Sequence, residues 1–145
     1  MATLRDIIAR KGGTVIAVRP ADTVLHAANL MNERGIGGVL VLDAAGEAAG
    51  IFTERDVLRR VVAPGRDPAT THVGEVMTSP VTTSPPDLTV DECAALMTRR
   101  RIRHLPVRDG TGLAGVVTIG DILAYQVGEQ QATIAQMTSY LYDVR

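Results

Sequence analysis

Short apolar stretches recur at matching places in the two halves of the chain, and prolines interrupt both series. The first stretch of each half is Val15–Val18 and Val81–Ser84, followed by Pro20 and by Pro85. Brief apolar runs bounded by residues that favour turns are typical of strands that pack into a core. We therefore predict that each half begins with a short buried strand.

A stripe of apolar residues at helical spacing follows the first strand in each half. Residues three and four positions apart share one face of a helix, so the two stripes predict amphipathic helices. Asp22 and Asp87 precede these helices, and their carboxylates are predicted N-caps. The apolar positions are Val24, Ala27, Ala28 and Met31 in the first half, and Val90, Ala94 and Met97 in the second.

Each half continues with two apolar stretches on either side of a turn that contains glycine. Ala45-Gly46 and Asp109-Gly110 are residue pairs that suit β-hairpins. A further helical pattern follows each hairpin, over Arg55–Val62 and from Gly120 onward. The predicted unit is therefore β-α-β-β-α, with hairpin strands at Val39–Leu42 and Ala48–Phe52, and then at Leu105–Val107 and Leu113–Val117.

The two series are copies of one sequence unit. Thr23-Val24 matches Thr89-Val90 at an offset of 66 residues, and Gly50–Leu58 matches Gly115–Leu123 at an offset of 65. A half of about 60 residues is marginal as an independent domain, so we expect the two sheets to pack face to face around one shared core. The predicted fold is α/β (α+β), with repeat one and its N-terminal helix at 1–66, repeat two at 67–125 and a helical tail at 126–145.

The tail carries an apolar stripe of its own. Ile134, Met137, Leu141 and Val144 are spaced by three, four and three residues, which is typical of an amphipathic helix. Such a face can pack on its own domain, on a second copy of the chain or on a regulated partner. We expect packing within a homodimer.

Composition narrows the functional classes. Apolar residues make up 46% of the 145 residues and charged residues 21%, which is typical of a globular protein. No apolar run reaches the ~20 residues that a membrane helix needs, and the first residues lack the order of a secretory signal. Cys93 is the single cysteine and has no partner for an internal disulfide. A cytoplasmic location without membrane contact is therefore expected.

Charge and aromatic content argue against nucleic-acid binding. The net charge is −1 and aromatic residues make up 3%, whereas nucleic-acid binders usually have a basic excess or aromatic platforms. The one basic run is Arg99–Arg103. We expect Arg99 and Arg100 to lie on the surface at a helix end, and we predict that Arg103 contacts a phosphate. The sequence does not decide between these two roles for Arg101. No nucleophile is paired with a base and no histidines have metal-ligand spacing, so we predict neither an enzyme nor a metal site.

Several stretches, taken in their order and duplication, resemble the CBS-domain family, named after cystathionine β-synthase. They are Val73–Thr78, Arg103–Val107, and the Thr-x-x-Asp pairs Thr53/Asp56 and Thr118/Asp121. The resemblance covers residues 4–125 and is greatest to small bacterial proteins with two repeats. It implies a pseudo-twofold pair of repeats, often stacked as a homodimer of flat discs, with two clefts that hold AMP-like or NAD(H)-like ligands.

The Thr-x-x-Asp pairs stand where a strand runs into a helix. An ionised Asp accepts hydrogen bonds from both hydroxyls of a ribose, and the Thr hydroxyl and the free N–H groups of the first turn reach a phosphate. We predict these roles for Thr53 with Asp56 and for Thr118 with Asp121. The alternative is that all four are ordinary capping and first-turn residues.

By resemblance, the base lies in an aliphatic slot lined by Ile16 in repeat one and Thr82 in repeat two, although core packing is the alternative for any aliphatic residue. Matched positions differ between the repeats, and Arg55 could supply in repeat one the cation that Arg103 supplies in repeat two. We therefore expect the two clefts to prefer different nucleotides or to fill with different affinities. The remaining predicted ligand residues are Gly37, Gly38 and Glu54 in repeat one, and His104, Pro106, Ile119 and Gly120 in repeat two.

These observations predict a sensor that binds AMP, ADP, ATP or NAD(H) and changes the activity of an unidentified partner through its conformation. The main alternative is a structural or interaction dimer whose clefts have lost their ligands. An enzyme that acts on nucleotides, and a protein that binds DNA or RNA through residues 99–103, are further alternatives.

Overall fold

The predicted α/β elements form in their predicted order in the computed structural model, which describes residues 1–143. A short helix precedes each repeat, and α3 continues directly into a π-helical segment at Val57–Val62. Val144 of the predicted tail stripe lies outside the described residues. The helices are α1 (Leu4–Lys11), α2 (Val24–Arg34), α3 (Glu54–Asp56), α4 (Val73–Val76), α5 (Val90–Arg100) and α6 (Ile119–Asp143), and the strands are β1 (Ala17–Val18), β2 (Gly38–Leu42), β3 (Ala48–Thr53), β4 (His104–Asp109) and β5 (Gly112–Thr118).

The first strand of each repeat is shorter than the sequence pattern predicts. In repeat one, β1 pairs parallel with β2, and β2 pairs antiparallel with β3. In repeat two, β4 and β5 form an antiparallel pair, and the predicted strand Val81–Ser84 is reduced to one bridge between Ser84 and Val107. Pro85 follows Ser84 directly and has no N–H to continue a ladder of hydrogen bonds.

Threonines, and not the predicted aspartates, cap the first helix of each repeat. The Thr23 hydroxyl accepts a hydrogen bond from the His26 N–H, and the Thr89 hydroxyl accepts one from the Glu92 N–H. Asp22 lies one residue too early and instead accepts a hydrogen bond from the Arg19 N–H at 2.8 Å. The prediction of Asp22 and Asp87 as N-caps was therefore wrong, because a cap must stand immediately before the first helical residue.

The repeats form two hydrophobic clusters, where the sequence predicted one shared core. The first cluster includes Phe52 and the second includes Leu105. The short helix before each repeat crosses to the other repeat: Leu4 and Ile7 of α1 are buried in the second cluster, and Val73 and Val76 of α4 in the first. The helix assigned by sequence to repeat one thus packs on repeat two, and this exchange ties the two halves together.

The C-terminal helix α6 is continuous across the boundary predicted between repeat two and the tail. It runs for 25 residues from the end of β5, and Ile122 in its first turns is buried in the second cluster. Beyond Gln126 every side chain of α6 that the structure describes is exposed. Within residues 1–143, no helix is both long and apolar enough to cross a membrane.

Candidate functional site

The two repeats meet at a pair of equivalent residues. Gly38 and His104 occupy matched positions, 66 residues apart, at the starts of β2 and β4. A Cβ on Gly38 would lie 3.0 Å from His104 Cε1 and 3.2 Å from Thr53 Cγ2. A side chain at position 38 would crowd the imidazole ring, so the glycine allows His104 and β2 to approach closely.

A cavity of about 110 Å³, which we name the inner cavity, lies beside this contact. It brings together four of the predicted ligand residues: Ile16 and Gly38 from repeat one, and His104 and Thr118 from repeat two. The sequence left open which half supplies which wall, and the structure combines Ile16, just before β1 of repeat one, with Thr118 of the Thr-x-x-Asp pair of repeat two. Other aliphatic residues complete the wall: Val15, Ile36, Val39, Leu40, Ile51 and Val116.

The Thr118/Asp121 pair forms a capping box at the start of α6 and leaves one carboxylate oxygen available. Asp121 Oδ2 accepts hydrogen bonds from the Thr118 N–H at 2.8 Å and from Lys11 Nζ at 2.7 Å. The Asp121 side chain is 23% exposed, and its Oδ1 accepts no hydrogen bond from any residue that the structure describes. This free oxygen can accept a hydrogen bond from a bound hydroxyl group.

The equivalent pair of repeat one has both carboxylate oxygens occupied. Asp56 Oδ2 accepts hydrogen bonds from the Thr53 N–H and hydroxyl at 3.0 and 3.3 Å. Asp56 Oδ1 accepts one from the Thr78 hydroxyl at 3.0 Å and lies 3.7 Å from Arg60 Nε. Because Asp56 is also only 5% exposed, the geometry supports the capping alternative for Thr53 and Asp56.

His104 is one of the polar residues of the inner cavity, with Lys11, Thr14 and Thr118. Burial lowers the pKa of His104, and the positive charges of Lys11 and Arg103 lower it further. The imidazole is therefore biased towards its neutral form, in which one ring nitrogen donates and the other accepts a hydrogen bond. Arg103, which was predicted to contact a phosphate, is exposed and does not line the inner cavity, and its carbonyl accepts a hydrogen bond from the Ile119 N–H.

The other predicted ligand residues lie outside the inner cavity. Gly37 and Glu54 line a shallow surface depression next to α2. Pro106 is buried, and Ile119 packs against the second hydrophobic cluster. The rest do not line the cavity either, since Thr82 is half-buried elsewhere and both Arg55 and Gly120 are exposed.

Lys11 is the residue of this site that the sequence reasoning missed. It is the only lysine in the chain, lies in the last turn of α1, and donates hydrogen bonds to Asp121 and to the Val116 carbonyl. The sequence did contain a signal for Lys11. It aligns with Met77, in the stretch Val73–Thr78 that resembles the CBS family, at the offset of 66 residues that relates the other matched pairs. Among residues 1–143, no three His, Cys, Asp or Glu side chains are grouped so that they could hold a metal ion.

The fold and this cavity define a paired-repeat α/β module with a hollow between its halves. The model of the CBS domain family matches residues 4–63 and 73–128, and the chain belongs to that family. The predicted resemblance and the predicted pair of repeats are thus confirmed. CBS-domain proteins of this kind are generally regulatory or signal-transduction modules.

Relatives of similar length share this organisation. The chain is 32% identical over 132 residues to the CBS domain-containing protein YhcV of Bacillus subtilis, and the match covers 91% of each. It is 42% identical to a proposed signal-transduction protein with CBS domains from Burkholderia ambifaria, with a TM-score of 0.84 over 89% of this chain and 96% of that one. A hexameric CBS-CP12 protein from bloom-forming cyanobacteria is 34% identical, with a TM-score of 0.73 over 85% of this chain and 70% of that one.

Proposed function

We propose that this chain is a sensor that binds one adenine nucleotide in the cleft built around the inner cavity and Asp121. The adenine ring would lie against the aliphatic wall that includes Ile16 and Val116, and the ribose hydroxyls would donate hydrogen bonds to Asp121 Oδ1. Bound ligands of this size are usually held by a largely apolar hollow with a few well-placed polar groups. AMP, ADP, ATP and NAD(H) are the candidate ligands.

The observation that carries the proposal is the difference between the two aspartates. Asp121 has a free oxygen and is hydrogen-bonded to Lys11 and Thr118, which line the inner cavity, whereas Asp56 is saturated by Thr53, Thr78 and Arg60. From the sequence we expected only that the two clefts would differ in ligand preference or affinity. The difference between the aspartates allows a more specific proposal. We propose that the cleft of Asp121 is the principal ligand site, and that the cleft of Asp56 binds more weakly or not at all.

Thermal unfolding tests this function directly. A ligand at about a hundred times its Kd stabilises the folded state by roughly 2.7 kcal/mol per site, which for a chain of this length raises Tm by about 5–10 °C. We expect such a shift with at least one of AMP, ADP, ATP, NAD⁺ and NADH. Asp121→Asn should abolish the shift, and Asp91→Asn, an exposed site on α5, should retain it. No shift with any of the five would contradict the proposal.

A module that only mediates contacts between proteins is the second candidate, and exposed apolar residues favour it. Leu58 and Leu123, at matched positions of the two repeats, are 61% and 54% exposed. Such a paired surface fits a second copy of the chain, and one relative of known structure is hexameric. This candidate predicts a stable oligomer whose Tm does not respond to nucleotides. For either candidate function, we propose that the chain acts on a partner protein and lies in the cytoplasm.

A further inference from the structure

The Lys11–Asp121 ion pair stands between two cavities. Lys11 and Asp121 line a second cavity of about 170 Å³, the outer cavity, which lies between α1 and α6 and also contacts Arg10 and Tyr125. Lys11 lines the inner cavity as well. The Nζ atom lies 2.7 Å from Asp121 Oδ2 and 2.8 Å from the Val116 carbonyl, and Lys11 is the residue that the linings of the two cavities share.

Neither hollow alone has the volume of a typical ligand site. Pockets for small molecules usually measure about 300–1,000 Å³, and the two cavities measure about 110 and 170 Å³. A swing of the Lys11 side chain would join them without any movement of a strand or helix. The lysine side chain is 33% exposed, and partly exposed ion pairs contribute little net stability, so a ligand can displace it at small cost.

The outer cavity offers a second cation beside Lys11. Arg10 and Lys11 are consecutive in the last turn of α1, and both line the outer cavity. Arg10 takes part in none of the ion pairs found among the described residues. Asp6 also lines this cavity, but its Oδ2 accepts the Thr3 N–H that caps α1. An anionic group entering here would meet two cations, Arg10 and Lys11, and two carboxylates, Asp6 and Asp121, each of which already accepts a hydrogen bond.

We propose that Lys11 is the phosphate-recognition residue of this cleft, and that its ion pair with Asp121 excludes nucleosides that lack a phosphate. An incoming phosphate draws Lys11 away from Asp121 and takes it as a partner, and this leaves the carboxylate with the Thr118 N–H as its remaining donor, so that it can accept the ribose hydroxyls. An uncharged nucleoside offers Lys11 no replacement and must compete with it. The ligand class is therefore a 5′-phosphorylated nucleoside, and this inference rests on the proposed function.

The other repeat provides an internal comparison. The residue that matches Lys11 is Met77, and the next residue, Thr78, donates its hydroxyl to Asp56 Oδ1. A methionine cannot exchange an aspartate for a phosphate, and the Thr78 hydroxyl carries no charge. The cation near Asp56, Arg60, lies 3.7 Å from it and donates a hydrogen bond to the Met77 carbonyl at 2.8 Å. Phosphate-dependent opening is thus a property of the Asp121 cleft alone.

Isothermal titration of AMP and adenosine into the full chain tests the proposal. For the unchanged protein we expect AMP to bind at least about tenfold more tightly than adenosine, since one charge-assisted contact amounts to roughly that factor. Lys11→Met, which copies the residue of repeat one, should weaken AMP binding about tenfold and leave adenosine binding equal or tighter. The ratio of the two affinities should then approach one.

Arg5→Met is the matched control, because it removes one positive charge from the same helix at an ion pair with Asp87, on the surface away from both cavities. It should leave the ratio unchanged. Lys11→Gln serves as a second neutral variant if Lys11→Met is unstable, and circular dichroism checks that each variant is folded. An unchanged ratio in a folded Lys11 variant would overturn the proposal while leaving nucleotide binding intact. Absence of binding by both ligands to the unchanged protein would overturn the proposed function and this inference together.

Discussion

Two aspartates at equivalent sequence positions have different surroundings and therefore different roles. Asp56 is buried and accepts hydrogen bonds with both carboxylate oxygens, whereas Asp121 is partly exposed and holds Lys11 with one oxygen. The partners that differ, Thr78 and Lys11, come from segments that precede each repeat. Of the two copies of the Thr-x-x-Asp motif, the one with Asp56 therefore stabilises the fold, and the one with Asp121 keeps a carboxylate oxygen without a hydrogen bond from the described residues.

We expect Asp56→Ala to cost more stability than Asp121→Ala. The first change removes a helix cap and leaves buried hydrogen-bond donors without their acceptor, so it should lower the free energy of unfolding by about 2–3 kcal/mol. The second removes a cap and a partly exposed ion pair, for about 1 kcal/mol. Urea denaturation of both variants measures the difference. Equal losses would contradict the assignment of Asp56 as the structural copy.

At the scale of the elements, the short helices α1 and α4 close the two repeats in different ways. The segment after α4 pairs with β3 through Ile51 and Thr78, whose backbone hydrogen bonds measure 2.8 and 2.9 Å. The end of α1 instead reaches β5 through the Lys11 side chain, which binds the Val116 carbonyl. In repeat one, backbone hydrogen bonds pair the edge of β3 with the segment after α4. In repeat two, the Lys11 side chain covers the edge of β5.

Substitutions at two matched glycines, Gly50 and Gly115, would measure this difference between the repeats. A Cβ on Gly50 would lie 2.5 Å from Met77 Sδ and 2.9 Å from the Thr78 carbonyl, so Gly50→Ala must displace backbone. We expect it to lower the free energy of unfolding by about 2–3 kcal/mol. A Cβ on Gly115, the equivalent residue, would lie 3.3 Å from the Ile8 side chain, which can move slightly. Gly115→Ala should cost at most about 1 kcal/mol by urea denaturation, and a larger cost than that of Gly50→Ala would contradict this account.

At the scale of the whole molecule, apolar side chains remain exposed at matched positions of the two repeats. Leu58 and Val62 of repeat one correspond to Leu123 and Val127 of repeat two, and all four are between 49% and 62% exposed. Exposed apolar surface continues along α6, and helices in proteins take most of their stability from the packing of such a face. The described part of the tail stripe is Ile134, Met137 and Leu141, each at least 60% exposed.

We expect the exposed apolar surface of Leu58, Val62, Leu123 and Val127 to be buried against a second copy of the chain. Leu123→Asp places a charge at the centre of the surface and should convert the oligomer into monomers, because burying an unpaired charge is costly. Sedimentation velocity of both proteins measures the change. Ala132→Asp, an exposed position on the same helix that lies away from the apolar stripe, should leave the assembly unchanged. A monomeric unchanged protein would contradict the predicted homodimer.

Local pattern determined most of the fold. The duplication, the two hairpins and the helices after Thr23 and Thr89 all follow from apolar spacing and turn residues, which act over a few residues. The same local rules mistook Asp22 and Asp87 for caps and extended the first strand of repeat two, because neighbouring threonines and prolines competed at the element ends.

Sequence alone thus determined the family, the repeats and the candidate Thr-x-x-Asp pairs. Only the tertiary structure decided that α1 packs on the opposite repeat, that Ile16 shares a cavity with Thr118, and that Lys11 reaches an aspartate 110 residues away. The reason is physical: identical motifs have identical local geometry, but the partners that saturate or free a carboxylate come from distant parts of the chain. Those partners are set by how the two halves pack together, and spacing along the chain does not encode that arrangement.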